Sequence, residues 1–401
     1  MQYIHALLLG TLCTFSIQHA AAQMGCTDMQ ATNYNSAAVV NDGSCIYAYT
    51  RYNPPLRAVL PTALKESSGL IYTKGSLWTL NDSGNPDEIY RIDTNSGAIL
   101  QTVVIDNYSN NDWEEITADS AYIYVSDCGN NSGNRRDLKI LKIAKSNITT
   151  ASTVHLNAQA INISYTDQTS FTSSSSHNFD CEAIISRRDS IFLFTKNRGD
   201  LKTKVYGVSK IPGTYALAPI AQYDVAGLIT GASYNETSGE IALIGYSSIS
   251  TNSFMYLLYD YVGNQFFSGN KRKIDINNGG VWQTEAITYM PTNRFMISCE
   301  KQGSVDASIY IGAKTWLPSL NMQPISILDP ITISPIPADN KIWIEHCPAQ
   351  TTYTIIDANG KVVKSGTETQ SYIDIQSLST GQYSLQLNNA TATKSLKFIK
   401  K

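Results

Sequence analysis

Short apolar runs with polar residues between them recur along residues 57–316, and helical periodicity is nearly absent, so the chain is expected to be almost all β. The runs come in sets, and each set opens on a variant of Asp180-Cys181-Glu182-Ala183-Ile184. The other openings are Asp112-Trp113-Glu114-Glu115-Ile116, Gln283-Thr284-Glu285-Ala286-Ile287, and two weaker copies at Glu66-Ser67-Ser68-Gly69-Leu70 and Leu228-Ile229-Thr230-Gly231-Ala232. Aligning them puts Ser68, Glu114, Glu182, Thr230 and Glu285 in one column. A turn and a second apolar run follow each copy, as in Tyr122-Ile123-Tyr124-Val125, and two further β-like runs usually precede the next. Four strands per repeat predicts the blades of a propeller. The last set lacks a fourth strand, while an orphan run, Leu56-Arg57-Ala58-Val59-Leu60, precedes the first. This orphan is expected to close the ring as the outer strand of the last blade, which removes exposed sheet edges. Five blades are predicted, with a sixth inside the long second interval as the alternative.

Strand one of a blade begins where strand two ends, so the polar loops gather on one face. Asp112, Glu114, Asp180, Glu182 and Glu285 should therefore surround the channel mouth together with Asp82 and Asp127. Crowded carboxylates repel one another unless a cation or a basic ligand neutralises them, and calcium accepts six to eight oxygen ligands. That makes Asp112, Glu114, Asp180, Glu182 and Glu285 the candidate metal ligands, and calcium the candidate cofactor. Asp82, Asp127, Asn130, Asn131, Arg135 and Lys196, on the neighbouring loops, are candidate ligand-binding residues. The competing reading has the Asp and Asn residues satisfying backbone donors in tight turns, with the Glu residues paired to Arg135, Arg136, Lys196 or Arg198. Cys128 and Cys181 fall on the same face of neighbouring blades, so a bridge between them is expected. Cys299 and Cys347 are then left as small buried hydrophobes.

Only 16% of the chain is charged and the formal net charge is −3, which argues against a nucleic-acid partner. Catalytic residues are scarce. His155 lies in an outer-strand run and His346 outside the repeats, leaving His177, with Asp180 and Glu182, as the one candidate acid–base set. No Gly-x-Ser-x-Gly, His-x-x-x-His or Gly-rich phosphate loop occurs. Residues 1–22 carry an apolar run ending in Ala20-Ala21-Ala22 and are read as a cleaved secretory signal. No later run is long enough to span a bilayer as a helix. Six cysteines then remain in an oxidising compartment, where disulfides persist.

Three stretches resemble known families. Asn81-Asp82-Ser83-Gly84, Asp112-Trp113-Glu114, Asp127-Cys128-Gly129-Asn130-Asn131 with Arg135 and Arg136 following, His177 to Ala183 and Phe194-Thr195-Lys196 together resemble a family of secreted propellers. That family is distantly similar to the SdiA-regulated and phytase-like groups. Blade four departs from the pattern, with Leu228 and Thr230 in place of the acids. Gly25-Cys26-Thr27-Asp28 to Asn41-Asp42-Gly43-Ser44-Cys45 resembles the calcium-binding-like modules related to thrombospondin type 3 repeats. A Cys26–Cys45 bridge would close it, for which about 3 kcal/mol of chain entropy is expected. Its Asp and Asn residues either bind calcium or serve as turn residues in a stapled spacer.

Residues 330–401, with Ile333-Ser334-Pro335-Ile336-Pro337, Tyr353 to Val363, Gly381-Gln382-Tyr383 and the closing Lys400-Lys401, resemble the C-terminal sorting domain of the type IX secretion system of the Bacteroidetes. The alternation in this stretch predicts a small β-sandwich. The resemblance implies export across both membranes, with the secretion machinery as partner and the passenger released or held at the surface. The expected organisation is a signal peptide (1–22), a disulfide module (23–47), a linker (48–56), a propeller (57–316), a second linker (317–329) and the sorting domain (330–401). Three functions fit it: a surface propeller binding calcium or a ligand at its acidic mouth, a calcium-dependent phosphoesterase, or a scaffold that binds macromolecules through its rims.

Overall fold

The computed structural model describes residues 23–247, 252–276, 283–314, 331–345, 351–358, 360–367, 372–389 and 392–401. The signal-peptide reading of 1–22, the second linker, His346 and Cys347 lie outside the described residues.

The described residues form a five-bladed propeller, and the alternating runs supply its strands. Blade one is Ser67–Thr73, Ser76–Asn81, Glu88–Ile92 and Ile99–Ile105. Blade two is Glu115–Ala118, Tyr122–Asp127, Lys139–Ala144 and Gln159–Tyr165. Blade three is Cys181–Arg187, Ser190–Thr195, Lys202–Ser209 and Ala221–Asp224. Blade four is Leu228–Tyr234, Ile241–Tyr246, Ser253–Tyr259 and Asn270–Ile276. Blade five has three strands, Thr284–Met290, Arg294–Cys299 and Ser308–Ala313, and takes Leu56–Val59 as its fourth, antiparallel to the third. The orphan strand closes the ring as expected.

The segment leading into a blade's outermost strand also reaches back over the blade before it. Thr153–Leu156 of blade two adds a parallel fifth strand to blade one, and Gly213–Leu217 of blade three does so for blade two. Arg51–Tyr52, just ahead of the closing strand, does the same for blade four. Where no fifth strand forms, side chains cover the edge: Phe267 stacks on Tyr223 of blade three's outer strand at 5.3 Å. The long second interval is thus occupied by a cross-blade strand and a Ser-rich loop, and five blades account for the whole repeat. The stretch read as the first linker also carries ladder, because Arg51 and Tyr52 pair with Asp275 and Ile276.

The inner strands approach the axis closely, and small residues make this feasible. One position beyond the acid column stand Gly69, Glu115, Ala183, Gly231 and Ala286. A Cβ on Gly69 would lie 2.8 Å from the Ile116 nitrogen, and one on Gly231 would lie 2.5 Å from the Glu285 carbonyl oxygen. Four small residues leave room for one long one. Fully buried Glu115 fills it, accepting from the Leu70 (3.2 Å) and Ile116 (2.9 Å) amides with Oε1 and from the Ala232 amide (3.1 Å) with Oε2. One carboxylate therefore ties together inner strands of blades one, two and four.

The Cys26–Cys45 bridge is formed. Its module docks on blade four through Asp28, which accepts from Tyr259 (2.7 Å) and Tyr47 (2.8 Å), and through Arg272, which donates to Gln30 (2.6 Å). In the C-terminal unit a three-stranded and a four-stranded sheet share a core of Ile331, Ile342, Ile344, Ile355, Ile373, Leu385, Leu387 and Phe398, which is the expected small sandwich.

The Glu115 staple leads to a stability prediction. Glu115→Ala leaves three buried amides without an acceptor, and unsatisfied buried donors cost about 1–3 kcal/mol each. Urea unfolding should show a loss of about 3 kcal/mol or more, with a smaller loss for Glu115→Gln. A loss below about 1 kcal/mol in Glu115→Ala would remove its stapling role.

Candidate functional site

Strand alternation builds the acidic mouth. Trp113 and Cys181 are fully buried in the cores on either side of blade two. Their neighbours in sequence, Asp112 with Glu114 and Asp180 with Glu182, turn the other way, towards the channel. The ladder skips one residue between Ser67 and Gly69, between Cys181 and Ala183, and between Thr284 and Ala286. The skipped residues are Ser68, Glu182 and Glu285 of the aligned column, and a bulge of this kind re-aims the side chain it frees. In blades one and four the column holds hydroxyls, which seal the joint to the next blade instead: Ser68 donates to the Trp113 carbonyl (3.0 Å) and Thr230 to the Thr284 carbonyl (2.7 Å).

Five carboxylates converge as two trios. Asp82, Asp112 and Glu114 form one, and Glu114, Asp180 and Glu182 the other; within each, oxygens lie within 4.8 Å of one another. Glu114 belongs to both. It is 5% exposed, and among the described residues its carboxylate accepts no hydrogen bond and meets no Lys or Arg. Burial, then the charges of Glu182, Asp82, Asp180 and Asp112, push it well above the ordinary carboxylate range. Burial likewise lifts Asp112 to about 6, with Asp82 and Asp180 adding to the effect. Gly129 completes the cradle, since a Cβ there would sit 2.4 Å from Glu114 Oε1 and 2.5 Å from Asp112 Oδ2.

The second trio already holds cations. Lys196 Nζ pairs with Glu182, and the Arg198 guanidinium pairs with Asp180 and lies 3.6 Å from Glu182. Burial opposes the charge on Lys196, but the Glu182 carboxylate, Tyr246 and Glu285 hold it well above its ordinary range, while burial pushes Glu182 itself upward against the pull of Lys196. Glu285 is 5% exposed and faces Lys196, and Glu300, on the loop after blade five's second strand, is lifted by burial and by Glu285 to about 8.

Several expected site residues do other work. Asp127 is fully buried and neutralised by Arg135 (2.9 Å) and Lys139 (3.0 Å), so it supports the loop and is not part of either trio. Asn130 donates its amide to Asp180 (2.7 Å) and accepts from the Arg135 amide (2.9 Å), while Asn131 accepts from Arg198 (2.7 Å). His177 spends both ring nitrogens on backbone, with Nδ1 accepting from the Phe179 amide (3.2 Å) and Nε2 facing the Asn131 carbonyl (3.1 Å). It makes no hydrogen bond to Asp180 or Glu182, so the acid–base set is not assembled. The expected Cys128–Cys181 bridge is not formed. Both are buried thiols in one apolar cluster, where desolvation lifts Cys128 to about 12.

Glu300 and Tyr246 were absent from the candidate residues; both lie at the ends of second strands, where the blade geometry could have found them. In the N-terminal module Asp28 accepts from Gln30, Tyr47 and Tyr259, and Asp42 accepts from Ser44, as turn and docking residues do.

Residues 332–401 match the family described as the secretion system C-terminal sorting domain. The protein is therefore secreted or displayed on the outer surface, and this domain implies engagement with the type IX secretion machinery. Among the described residues no helix is long and apolar enough to cross a membrane. No curated protein matches the chain. Similar solved structures include PorZ, an essential bacterial surface component of the type IX secretion system of Porphyromonas gingivalis. It is 11% identical with a TM-score of 0.32, over 84% of this chain and 45% of PorZ, so this chain spans less than half of it. A glucose dehydrogenase is 7% identical at a TM-score of 0.37, over 64% of this chain and 98% of its own. YCF48 bound to D1 peptide is 10% identical at 0.31, over 88% and 98%.

The upward shifts give the mouth a pH signature. Asp112 and Glu300 rise from 3.8 and 4.5 to about 6 and about 8, so the folded chain keeps protons that the unfolded chain has released. Between about pH 4 and pH 8 the unfolded state binds fewer protons, and stability falls as pH rises. In chelator, the melting temperature should be higher at about pH 5 than at about pH 8. A flat or rising profile across that window would contradict the burial of these acids.

Proposed function

We propose that this chain is an exported surface propeller whose acidic mouth binds a divalent cation, with calcium the best chemical match, and through it presents a binding face outside the cell. The observation that carries the proposal is Glu114: a carboxylate 5% exposed, shared by two trios of acids and, among the described residues, without a basic partner of its own. An isolated buried carboxylate is so unfavourable that it takes up a proton or a cation. The donor set is all oxygen, which selects hard cations over the zinc or copper that thiolate and imidazole prefer. Sites of extracellular modules bind calcium with dissociation constants of about 10⁻⁴–10⁻³ M, enough for a protein that works outside the cell. Bound calcium would supply countercharge and fix the loops of blades one and two.

A hydrolytic role finds less support, because His177 is committed to backbone and Lys196 to Glu182.

The test is thermal unfolding of the mature full chain in calcium and in chelator, beside Glu114→Gln. A ligand at 100 times its dissociation constant stabilises by about 2.7 kcal/mol. Calcium should raise the melting temperature of the wild type, and Glu114→Gln should lose that rise while being at least as stable as the wild type in chelator. An equal rise in both proteins would move the ion elsewhere, for example to the N-terminal module. No rise in the wild type would sink the proposal.

A further inference from the structure

We infer that the mouth is divided into two halves, a single divalent-cation site on Asp82, Asp112 and Glu114, and a second trio kept closed to metal by the chain's own cations, Lys196 and Arg198. The inference rests on the cation-binding proposal above and specifies where the ion sits and how many are held.

The two trios share Glu114 and have similar oxygen spacing, so carboxylate geometry alone would allow a pair of bridged ions. The counter-cations break this symmetry. Asp180 and Glu182 each have a cationic partner from the loop after blade three's second strand, Arg198 and Lys196 respectively. Asp82 and Asp112 have no Lys or Arg within ion-pair distance among the described residues. Arg135, the cation nearest to Asp112 in its electrostatic influence, is held by Asp127, Asp137 and the Gly129 carbonyl.

A metal entering the second trio would face an ammonium and a guanidinium, whose like charges repel it. Lys196 is also difficult to displace. It is 4% exposed, set 5.3 Å from the Tyr246 ring, and its charge is held further by Glu285. On the Asp82 side, Gly129 keeps the space between Glu114 and Asp112 clear, where any side chain would protrude between the two carboxylates.

The experiment counts calcium ions bound per chain by equilibrium dialysis and calorimetry, on the mature full chain with the Asp82→Asn and Lys196→Gln/Arg198→Gln variants. Counts are compared as differences between proteins, so any ion on the N-terminal module cancels. We expect one ion at the mouth of the wild type, none in Asp82→Asn, and a second ion in the double variant. Two mouth ions in the wild type, or one that survives in Asp82→Asn, would overturn the division while leaving cation binding intact. No ion at the mouth of any variant would instead remove the underlying proposal. Should the double variant not fold, the wild-type count and its loss in Asp82→Asn still decide the location.

Discussion

The close approach of five inner strands to one axis is the constraint on which the structure depends. A ring of five blades brings strand one of each blade nearly against its neighbours, and the sequence answers with Gly69, Ala183, Gly231 and Ala286 in a single layer. The same crowding strands backbone amides near the axis, away from water. Glu115 meets three of them at once. Burial holds its carboxyl well above the ordinary carboxylate range, and the three amides offset only part of that shift. Its place in a layer of glycines and alanines is explained by geometry, because no second side chain of that size would fit.

One layer above, the same convergence creates the acidic mouth. Residues that precede or begin strand one face their counterparts in other blades, so acids carried on separate blades become one cluster. The chain neutralises that cluster unevenly. Blade three supplies Lys196 and Arg198 from the loop after its own second strand, so its acids are satisfied within one blade. Blade two spends its basic residues, Arg135 and Lys139, on Asp127 and the loop beneath. Asp112 and Glu114 are left facing Asp82 of blade one, and the unbalanced charge falls at the joint between blades one and two.

Much of this was legible in the sequence, because blade count and strand order depend on a motif that returns with alternating polarity. The orphan strand at Leu56 and the acid column could be read for the same reason. What escaped depends on three-dimensional detail below the scale of a motif. Arg51–Tyr52 is too short a strand to leave a pattern, so its stretch read as a linker. The bulges that free Ser68, Glu182 and Glu285 have no residue signature, and Glu115 sits one place off the repeated column. Cys128 and Cys181 were expected to bridge because they share a face and adjacent blades, but sharing a face does not fix the separation and direction that a disulfide requires. Similarly, the acids were visible as a ring while their division was not, since the partners of Asp180 and Glu182 are set by where a short loop turns.

The position of the N-terminal module follows from how the ring is closed. Blade five borrows its outer strand from Leu56–Val59, and blade four its fifth strand from Arg51–Tyr52, so the chain preceding blade one stitches together the last two blades. A closure made by so short a segment would fray readily if the chain ahead of it were free, because a terminal strand is held only by its own ladder and side-chain contacts. The Cys26–Cys45 module anchors that end. Its Asp28, Gln30 and Asn41 bind Tyr259, Arg272 and Asn270 on blade four, the blade that receives Arg51–Tyr52. A bridge across a short loop keeps those contacts in register at little entropic cost, and it persists in the oxidising surroundings to which the sorting domain directs the chain. The module is therefore part of the ring's closure as much as a leader to it.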